Sequence, residues 1–258
     1  FGTPIYTNKN YPFPANPPQV PENDNPTGCY RKKFSLSPGW KDRRIILHFA
    51  GVSSAFTLWV NGREVGYSQD NKGPAEFDIS SLVKTGENLL AMEVYRWCDG
   101  SYLEDQDMWR LSGIEREVLL LGYPNIHIYD IESNASLCNK YQTGKLDCHL
   151  IIHNRKAMST DYSLHLYLLD QNQNTLATKK TKKKLAGKSE DKINLSLENL
   201  EIAHWTAETP NLYTLLFEFQ EKSQASYFLS LKVGFRTIEI KNSQLLVNGQ
   251  PVYLKGVN

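Results

Sequence analysis

The chain has 258 residues, of which 40% are hydrophobic, so it can form one large domain or two ordinary domains that each bury a core. Its formal net charge is +1, and a nearly neutral chain offers no general attraction to nucleic acid or to a membrane surface. The sequence contains no apolar run long enough to cross a bilayer as a helix. We therefore expect neither nucleic acid nor a membrane as a partner.

The first half of the chain predicts short strands after an irregular start. Residues 1–27 are rich in Pro, Asn and Tyr, which predicts an extended loop lying over a surface. Asn61-Gly62 follows an alternating apolar run and is a strong signal for a tight hairpin. Strands are predicted where apolar residues alternate with polar ones, at residues 44–52, 56–60, 64–68, 90–94 and 118–120.

A domain boundary is predicted at Tyr123-Pro124-Asn125. Beyond it, strand patterns recur about every ten residues, the spacing typical of a sandwich: residues 126–131, 146–153, 162–169, 193–197, 213–219 and 227–233. A final hairpin pattern surrounds Asn248-Gly249. The sequence therefore predicts an all-β chain: a jelly-roll-like β-sandwich over residues 1–124, an immunoglobulin-like β-sandwich over residues 125–237, and a short segment over residues 238–258.

Two smaller features have simple interpretations. The basic run 179–184 is predicted to be a solvated turn or an edge strand, because lysines guard strand edges against pairing. The four cysteines are irregularly spaced and predict no zinc site. Cys138 and Cys148 flank a predicted hairpin, and a disulfide between them is the less favoured of two alternatives.

Residues 96–110 are the most informative segment. Three aromatic residues, Trp97, Tyr102 and Trp109, are interspersed with the acidic residues Asp99, Glu104, Asp105 and Asp107. Sugars have apolar C–H faces that stack on aromatic rings, and their hydroxyls form short hydrogen bonds with carboxylates. The pattern suits a carbohydrate site, and an acidic loop with buried aromatic residues is the simpler alternative.

The order of residues in this segment resembles the N-terminal part of the glycoside hydrolase family 2 β-galactosidases. The resemblance continues through six other segments in the same order: residues 3–12, 25–30, 54–62, 65–70, 205–213 and 233–236. Residues 247–258 resemble the family's entry into its catalytic barrel. The resemblance implies that residues 1–124 are a sugar-binding domain without its first strands. An unpaired edge is therefore expected there, with self-association or poor order around residues 1–30.

The resemblance also implies site residues. Asp107 matches an aspartate that contacts the galactosyl hydroxyls and helps to hold Na⁺ or K⁺, and Asn8 matches an asparagine that touches the sugar. Gln69 and Asp99 match two ligands of a magnesium site whose other ligands lie upstream in the family. We therefore expect an incomplete magnesium site and no tightly bound cofactor. From the residues alone, the favoured interpretation of Asp107 is a loop acid that pairs with Arg110 or Arg96, and that of Asn8 is a turn former among prolines.

In this family the two catalytic carboxylates lie on a (β/α)₈ barrel, and the resemblance assigns neither of them to the sequence. The resemblance thus implies the non-catalytic part of a retaining β-galactosidase, with a β-galactoside and the barrel of its own chain as partners and a homo-oligomeric parent. Three alternatives remain: a family 2 β-glucuronidase or β-mannosidase as parent, a stand-alone carbohydrate-binding module, and a structural immunoglobulin-like protein.

Overall fold

The computed structural model describes residues 4–6, 10–70, 72–104, 109–222 and 224–256, and nearly all of its regular structure is β-strand. Two short 3₁₀ helices are present in these ranges, at Pro38–Trp40 and Asp99–Tyr102. None of the described helices is long and apolar enough to span a bilayer. The contacts divide the chain into two compact units, Phe1–Pro124 and Asn125–Asn258.

The described part of the first unit contains eleven strands: β1 Ile5–Tyr6, β2 Thr27–Leu36, β3 Arg44–Phe49, β4 Val52–Ser53, β5 Ala55–Val60, β6 Arg63–Gln69, β7 Ala75–Asp78, β8 Gly86–Tyr95, β9 Trp109–Arg110, β10 Gly113–Ile114 and β11 Val118–Tyr123. One sheet has the order β2-β8-β5-β6 and a second has the order β11-β3-β7. Two small pairs, β1-β9 and β10-β4, complete the unit.

Alternating side chains from the two larger sheets form one core in this unit. Phe49 of β3 packs against Phe56 of β5 with ring centroids 4.9 Å apart, and Leu58 is completely buried. At the end of β5, Asn61 and Gly62 have φ values of 51° and 79°, the left-handed pair that a tight hairpin requires. The predicted hairpin is therefore confirmed, and the unit is a sandwich.

The second unit is a second sandwich. In its described part it contains ten strands: β12 Ile126–Cys138, β13 Thr143–Asn154, β14 Thr160–Leu169, β15 Thr175–Leu185, β16 Ser189–Leu200, β17 Tyr213–Glu221, β18 Tyr227–Val233, β19 Ile238–Lys241, β20 Gln244–Val247 and β21 Gln250–Pro251. Two sheets, β12-β13-β16 and β15-β14-β17-β18, pack their inward side chains into a common core. The predicted all-β class of two successive sandwiches is confirmed.

Two local predictions can be compared with the structure. The lysine run lies in β15, an edge strand of its sheet among the described residues, as one of its two interpretations predicted. Cys138 and Cys148 are free thiols, as are the other two cysteines, all of which are described. Cys138 is opposite Thr143 while Cys148 is opposite Ser133, so they are five register positions apart and no disulfide joins them.

Candidate functional site

A short antiparallel pair joins the start of the chain to the informative segment 96–110. Strands β1 and β9 place Ile5 opposite Arg110 and Tyr6 opposite Trp109. The Tyr6 and Trp109 rings lie on the same face with centroids 5.6 Å apart. Their exposed fractions are 51% and 59%, respectively, so much of the surface of both rings is open to solvent. This pair, called here the aromatic pair, has the exposed apolar character that stacking against a sugar requires.

Two predicted sugar contacts, Asn8 and Asp107, lie outside the described residues. In sequence, Asn8 follows Tyr6 by two positions and Asp107 precedes Trp109 by two positions. Among the described residues, Tyr6 and Trp109 are direct partners in the β1–β9 pair.

The other two rings of the segment have a different environment. Trp97 is 8% exposed and packs against Phe13 at a centroid distance of 5.1 Å. Tyr102 packs against Tyr11 at 4.9 Å, and its hydroxyl donates a hydrogen bond of 2.6 Å to the backbone oxygen of Gln19. These two rings belong to a packed aromatic cluster. The interpretation as buried aromatic residues is correct for Trp97. Among the three rings of the segment, only Trp109 is largely exposed.

Asn25 holds the backbone where this segment begins. Its Nδ2 donates to the carbonyl oxygen of Trp97 at 2.9 Å, and its Oδ1 accepts from the Trp97 N–H at 2.8 Å. The neighbouring Pro26 oxygen accepts from the Arg96 N–H at 3.1 Å. Neither Asn25 nor Tyr6 was singled out by the sequence analysis. Both lie inside segments that carried the resemblance, which was the available signal.

Trp109 is one of the residues that line a small charged cavity of about 40 Å³. Charged residues from distant parts of the first unit line it: Lys72, Arg96, Glu104, Arg110 and Glu115. The Arg96 side chain is buried, with its guanidinium carbon 5.2 Å from the centre of the Trp97 ring, and Lys72 is 3.8 Å from Glu115. Of the charged residues that line this cavity, Arg96 is buried, and a buried charge is costly unless it is paired or hydrogen-bonded.

The two predicted magnesium ligands are both described and both exposed. Gln69 Oε1 accepts a hydrogen bond of 2.8 Å from the Tyr67 hydroxyl, and Asp99 Oδ1 accepts one of 2.8 Å from the Gly100 N–H. Burial, together with the Cys98 thiol and the Asp99 carboxylate, raises the pKa of Tyr67 to about 12. Tyr67 therefore neighbours both predicted ligands, and it shares with Asp99 an open groove of about 820 Å³.

The chemistry of this groove suits a hard cation only in part. Magnesium requires close to six oxygen ligands, and of the two predicted ligands Asp99 lines this groove while Gln69 does not. Glu22 lines the same groove as Asp99. Among the described residues, however, no group of three or more His, Cys, Asp or Glu side chains is arranged to hold a metal ion.

Comparison with known proteins assigns a family to both units. Residues 1–124 match the sugar binding domain of glycosyl hydrolases family 2, and residues 126–236 match a second domain of glycosyl hydrolases family 2. Among curated proteins, the β-galactosidase of Priestia megaterium is 43% identical over 263 residues, covering 99% of this chain and 25% of the relative. The β-galactosidase of Pectobacterium atrosepticum is also 43% identical, covering 100% and 25%.

The fold is also found in solved structures. A β-glucuronidase from Bacteroides uniformis has a TM-score of 0.80 at 22% identity, covering 90% of this chain and 29% of that chain. A likeness at that identity shows the fold alone. The chain spans about a quarter of the length of the curated relatives that it matches. Two successive family 2 domains, in order and over nearly the whole sequence, show that this chain belongs to glycosyl hydrolases family 2.

Proposed function

We propose that this chain is the non-catalytic, sugar-contacting portion of a larger retaining β-galactosidase that hydrolyses terminal β-D-galactosides. The observation that carries the proposal is the exposed aromatic pair, in which Tyr6 lies opposite Trp109. Asn8 and Asp107 are two residues away in sequence from the members of this pair. The names of the curated relatives support the choice of a galactoside.

In this proposal Asp107 and Asn8 form one wall of the sugar site. A carboxylate accepts hydrogen bonds from sugar hydroxyls and offers hard oxygen to Na⁺ or K⁺, while an amide both donates and accepts. Trp109 and Tyr6 supply the apolar surface beside these polar groups. Arg96 and Glu104 line the same small cavity as Trp109.

The magnesium site is proposed to be completed only in the whole enzyme. Gln69 and Asp99 would supply two of its oxygen ligands, and magnesium would there neutralise the Asp99 carboxylate. Because two protein ligands leave most of the octahedron to water, this chain alone is expected to bind magnesium weakly. Ordered Mg²⁺ held by both side chains at low millimolar concentration would contradict this expectation.

The two catalytic carboxylates are proposed to come from a barrel in the rest of the enzyme, with the barrel and a homo-oligomeric assembly as the chain's partners. Retaining glycosidases need two carboxyl groups about 5 to 5.5 Å apart, one as nucleophile and one as acid/base. None of this chain's acidic residues is assigned either role. The isolated chain should therefore give no turnover of a chromogenic β-galactoside above a blank.

A chimera tests the proposal directly. The matching quarter of the Priestia megaterium β-galactosidase is replaced by this chain, and hydrolysis of a chromogenic β-galactoside is measured. Asp107→Ala should lower kcat/KM about a hundredfold, equivalent to two charge-assisted hydrogen bonds of about 1.5 kcal/mol each. Asn8→Ala should give a smaller loss of about tenfold, because its hydrogen bonds are uncharged.

The matched control in the chimera is Asp24→Ala, which removes an exposed carboxylate of the same unit. It should leave kcat/KM unchanged. A folded chimera in which Asp107→Ala and Asn8→Ala retain full activity would refute the proposed sugar contacts. A chimera with strong preference for β-glucuronides or β-mannosides would instead favour one of those parents.

A second candidate function is a stand-alone carbohydrate-binding module, which the exposure of Tyr6 and Trp109 favours. The two functions differ in the affinity of the isolated chain. Titration of galactose and lactose in Na⁺ buffer, followed by protein NMR, should show no saturable shifts up to high millimolar sugar if the chain supplies only one wall. Saturable shifts at Trp109 that disappear in Asp107→Ala would establish the binding module instead.

A further inference from the structure

The second unit has a strongly basic edge that the proposed function does not use. Strand β15, Thr175–Leu185, carries five lysines and no acidic residue. The lysines, all exposed, are Lys179, Lys180, Lys182, Lys183 and Lys184. In a chain whose formal net charge is only +1, this strand is a marked local concentration of positive charge.

The register of β15 against β14 shows where these charges point. Inward-facing Tyr162 and Leu164 of β14 are opposite Lys183 and Thr181. Lys180, Lys182 and Lys184 therefore project from the opposite, outer face, because side chains alternate along a strand. Successive members of this row are about 6.6 Å apart along the strand. A regular row of ammonium groups matches a ligand that carries several negative charges.

A groove of about 480 Å³ is lined by Lys182 and Lys184 of this row and by neutral polar side chains. Besides Tyr162, whose hydroxyl donates to Asp191, six of its lining residues can donate hydrogen bonds through their side chains: Lys182, Lys183, Lys184, Lys222, Ser163 and Gln220. The groove has the size of ordinary small-ligand sites, which range from about 300 to 1,000 Å³. Its hydroxyl and amide groups are of the kind that fix the orientation of a polar ligand.

The acidic residues nearby neutralise only part of the charge. Asp161, the acidic residue that lines the groove, is 3.8 Å from Lys222. Asp191 is bound to Lys183 at 3.0 Å and also accepts a hydrogen bond from the Tyr162 hydroxyl. Among the described residues no ion pair is formed by Lys182 or Lys184. Protection of a strand edge accounts for exposed lysines, but it does not require a donor-lined groove beside them.

We propose that this groove, called here the lysine groove, binds an anionic oligosaccharide whose sulfate or carboxylate groups contact Lys182, Lys184 and Lys222. Family membership places the chain among carbohydrate-active proteins, and Ser163 and Gln220 suit sugar hydroxyls. Single-stranded nucleic acid is a poorer match, because such sites combine positive charge with exposed aromatic rings. The one ring that lines the lysine groove in the described chain, Tyr162, is buried in the core.

The test measures binding of the 258-residue chain by isothermal titration calorimetry at low salt. The ligands are a sulfated galactan oligosaccharide, a uronic acid oligosaccharide, the desulfated galactan and single-stranded DNA of matched charge. At least one of the two anionic oligosaccharides should bind. Whether the sulfated or the uronic acid ligand binds identifies sulfate or carboxylate as the recognised group. The neutral galactan should not compete for the lysine groove.

The decisive variant combines Lys182→Gln, Lys184→Gln and Lys222→Gln. It should weaken binding of the anionic oligosaccharide by about tenfold to a hundredfold, since each ion pair near a surface contributes up to about 1 kcal/mol. The control combines Lys32→Gln, Lys41→Gln and Lys84→Gln, three exposed lysines of the first unit with the same total charge change. It should change affinity less than twofold.

Several outcomes would overturn the proposal. These are failure of both anionic oligosaccharides to bind, equal weakening by the two triple variants, and binding of DNA as tight as that of the oligosaccharides. Thermal unfolding of both variants checks that the second unit remains folded. None of these outcomes bears on the galactoside contacts, because the chimera assay depends on Asn8 and Asp107.

Discussion

Replacing Asn25 by alanine should loosen the segment that leads to the proposed sugar wall. Asn25 makes two hydrogen bonds to the backbone of Trp97, one through Nδ2 and one through Oδ1. The two residues are 72 positions apart, so this side chain joins an irregular loop to the end of the β8 region. Alanine removes both bonds and adds none.

The expected size of the effect follows from the surroundings of these bonds. A hydrogen bond contributes about 1 kcal/mol net, and a buried group left without a partner costs about 1 to 3 kcal/mol. Because Trp97 is 8% exposed and packs against Phe13, water has limited access to its backbone groups. We expect Asn25→Ala to lower the free energy of unfolding by about 2 to 3 kcal/mol. For a unit of this size the melting temperature should fall by roughly 6 to 15 °C.

Two measurements check this prediction: thermal unfolding followed by circular dichroism, and native-state hydrogen exchange. The amides of residues 97–103 should exchange faster in the variant, while those of the second unit should not change. Asn23→Ala, at an exposed position in the same loop, is the matched control and should have the melting temperature of the unsubstituted chain. If Asn25→Ala has the same melting temperature as Asn23→Ala and leaves hydrogen exchange unchanged, the two hydrogen bonds of Asn25 do not stabilise this segment.

Two further predictions concern stability. Burial pulls the pKa of Asp78 upward, but hydrogen bonds from Ser80 and Arg44 outweigh it and lower the pKa. The stabilisation by this carboxylate should be full well above the ordinary pKa of about 3.9, and should be lost as the pH falls through the lower folded-state pKa. Urea unfolding of the unsubstituted chain and of Asp78→Asn should therefore differ most at pH 7, and the difference should shrink as the pH falls below 4. Gly187→Ala should destabilise the second unit by about 1 to 3 kcal/mol in the same assay, because its Cβ would lie 2.1 Å from the backbone oxygen of Ala157.

Each of these predictions has its own control. Asp24→Asn removes an exposed carboxylate and should not change the pH dependence of unfolding. A difference in the free energy of unfolding between Asp78→Asn and the unsubstituted chain that stays constant from pH 7 to pH 3 would contradict the lowered pKa of Asp78. Gly39→Ala places a Cβ no closer than 4.0 Å to any neighbouring atom and should be nearly neutral. Equal stability of the two alanine variants would show that the backbone near Gly187 yields easily.

Much of the fold was predictable because strands carry their pattern locally. In β5 the buried residues Phe56, Leu58 and Val60 alternate with partly exposed ones, and the hairpin after them begins at Asn61. Some strands were missed because their patterns are irregular. Strand β2, which exposes most of its residues, was missed. Of β12 only residues 126–131 were predicted, and a bulge between Ile128 and Asp130 interrupts the alternation of that strand.

For the candidate site, the sequence predicted the segment but not which of its aromatic rings are exposed. The sequence placed Trp97 and Trp109 in one aromatic and acidic segment, and composition does not distinguish them. Burial distinguishes them, because Trp97 is 8% exposed and packs against Phe13 from a distant loop, while Trp109 packs against Tyr6 and is 59% exposed. Asn8 and Asp107 remain predictions from the resemblance, since both lie outside the described residues.

The sequence by itself determined the all-β class, the tight hairpins and the family, because these depend on local alternation, turn residues and the order of motifs. Only the tertiary structure decided which residues come together: Tyr6 pairs with Trp109, Asn25 bonds to Trp97, and Lys222 lines the same groove as three lysines of β15. These contacts join positions tens of residues apart. The chain reaches them only when strand pairing and core burial offset the entropy of closing the intervening loops, and no local pattern records that balance.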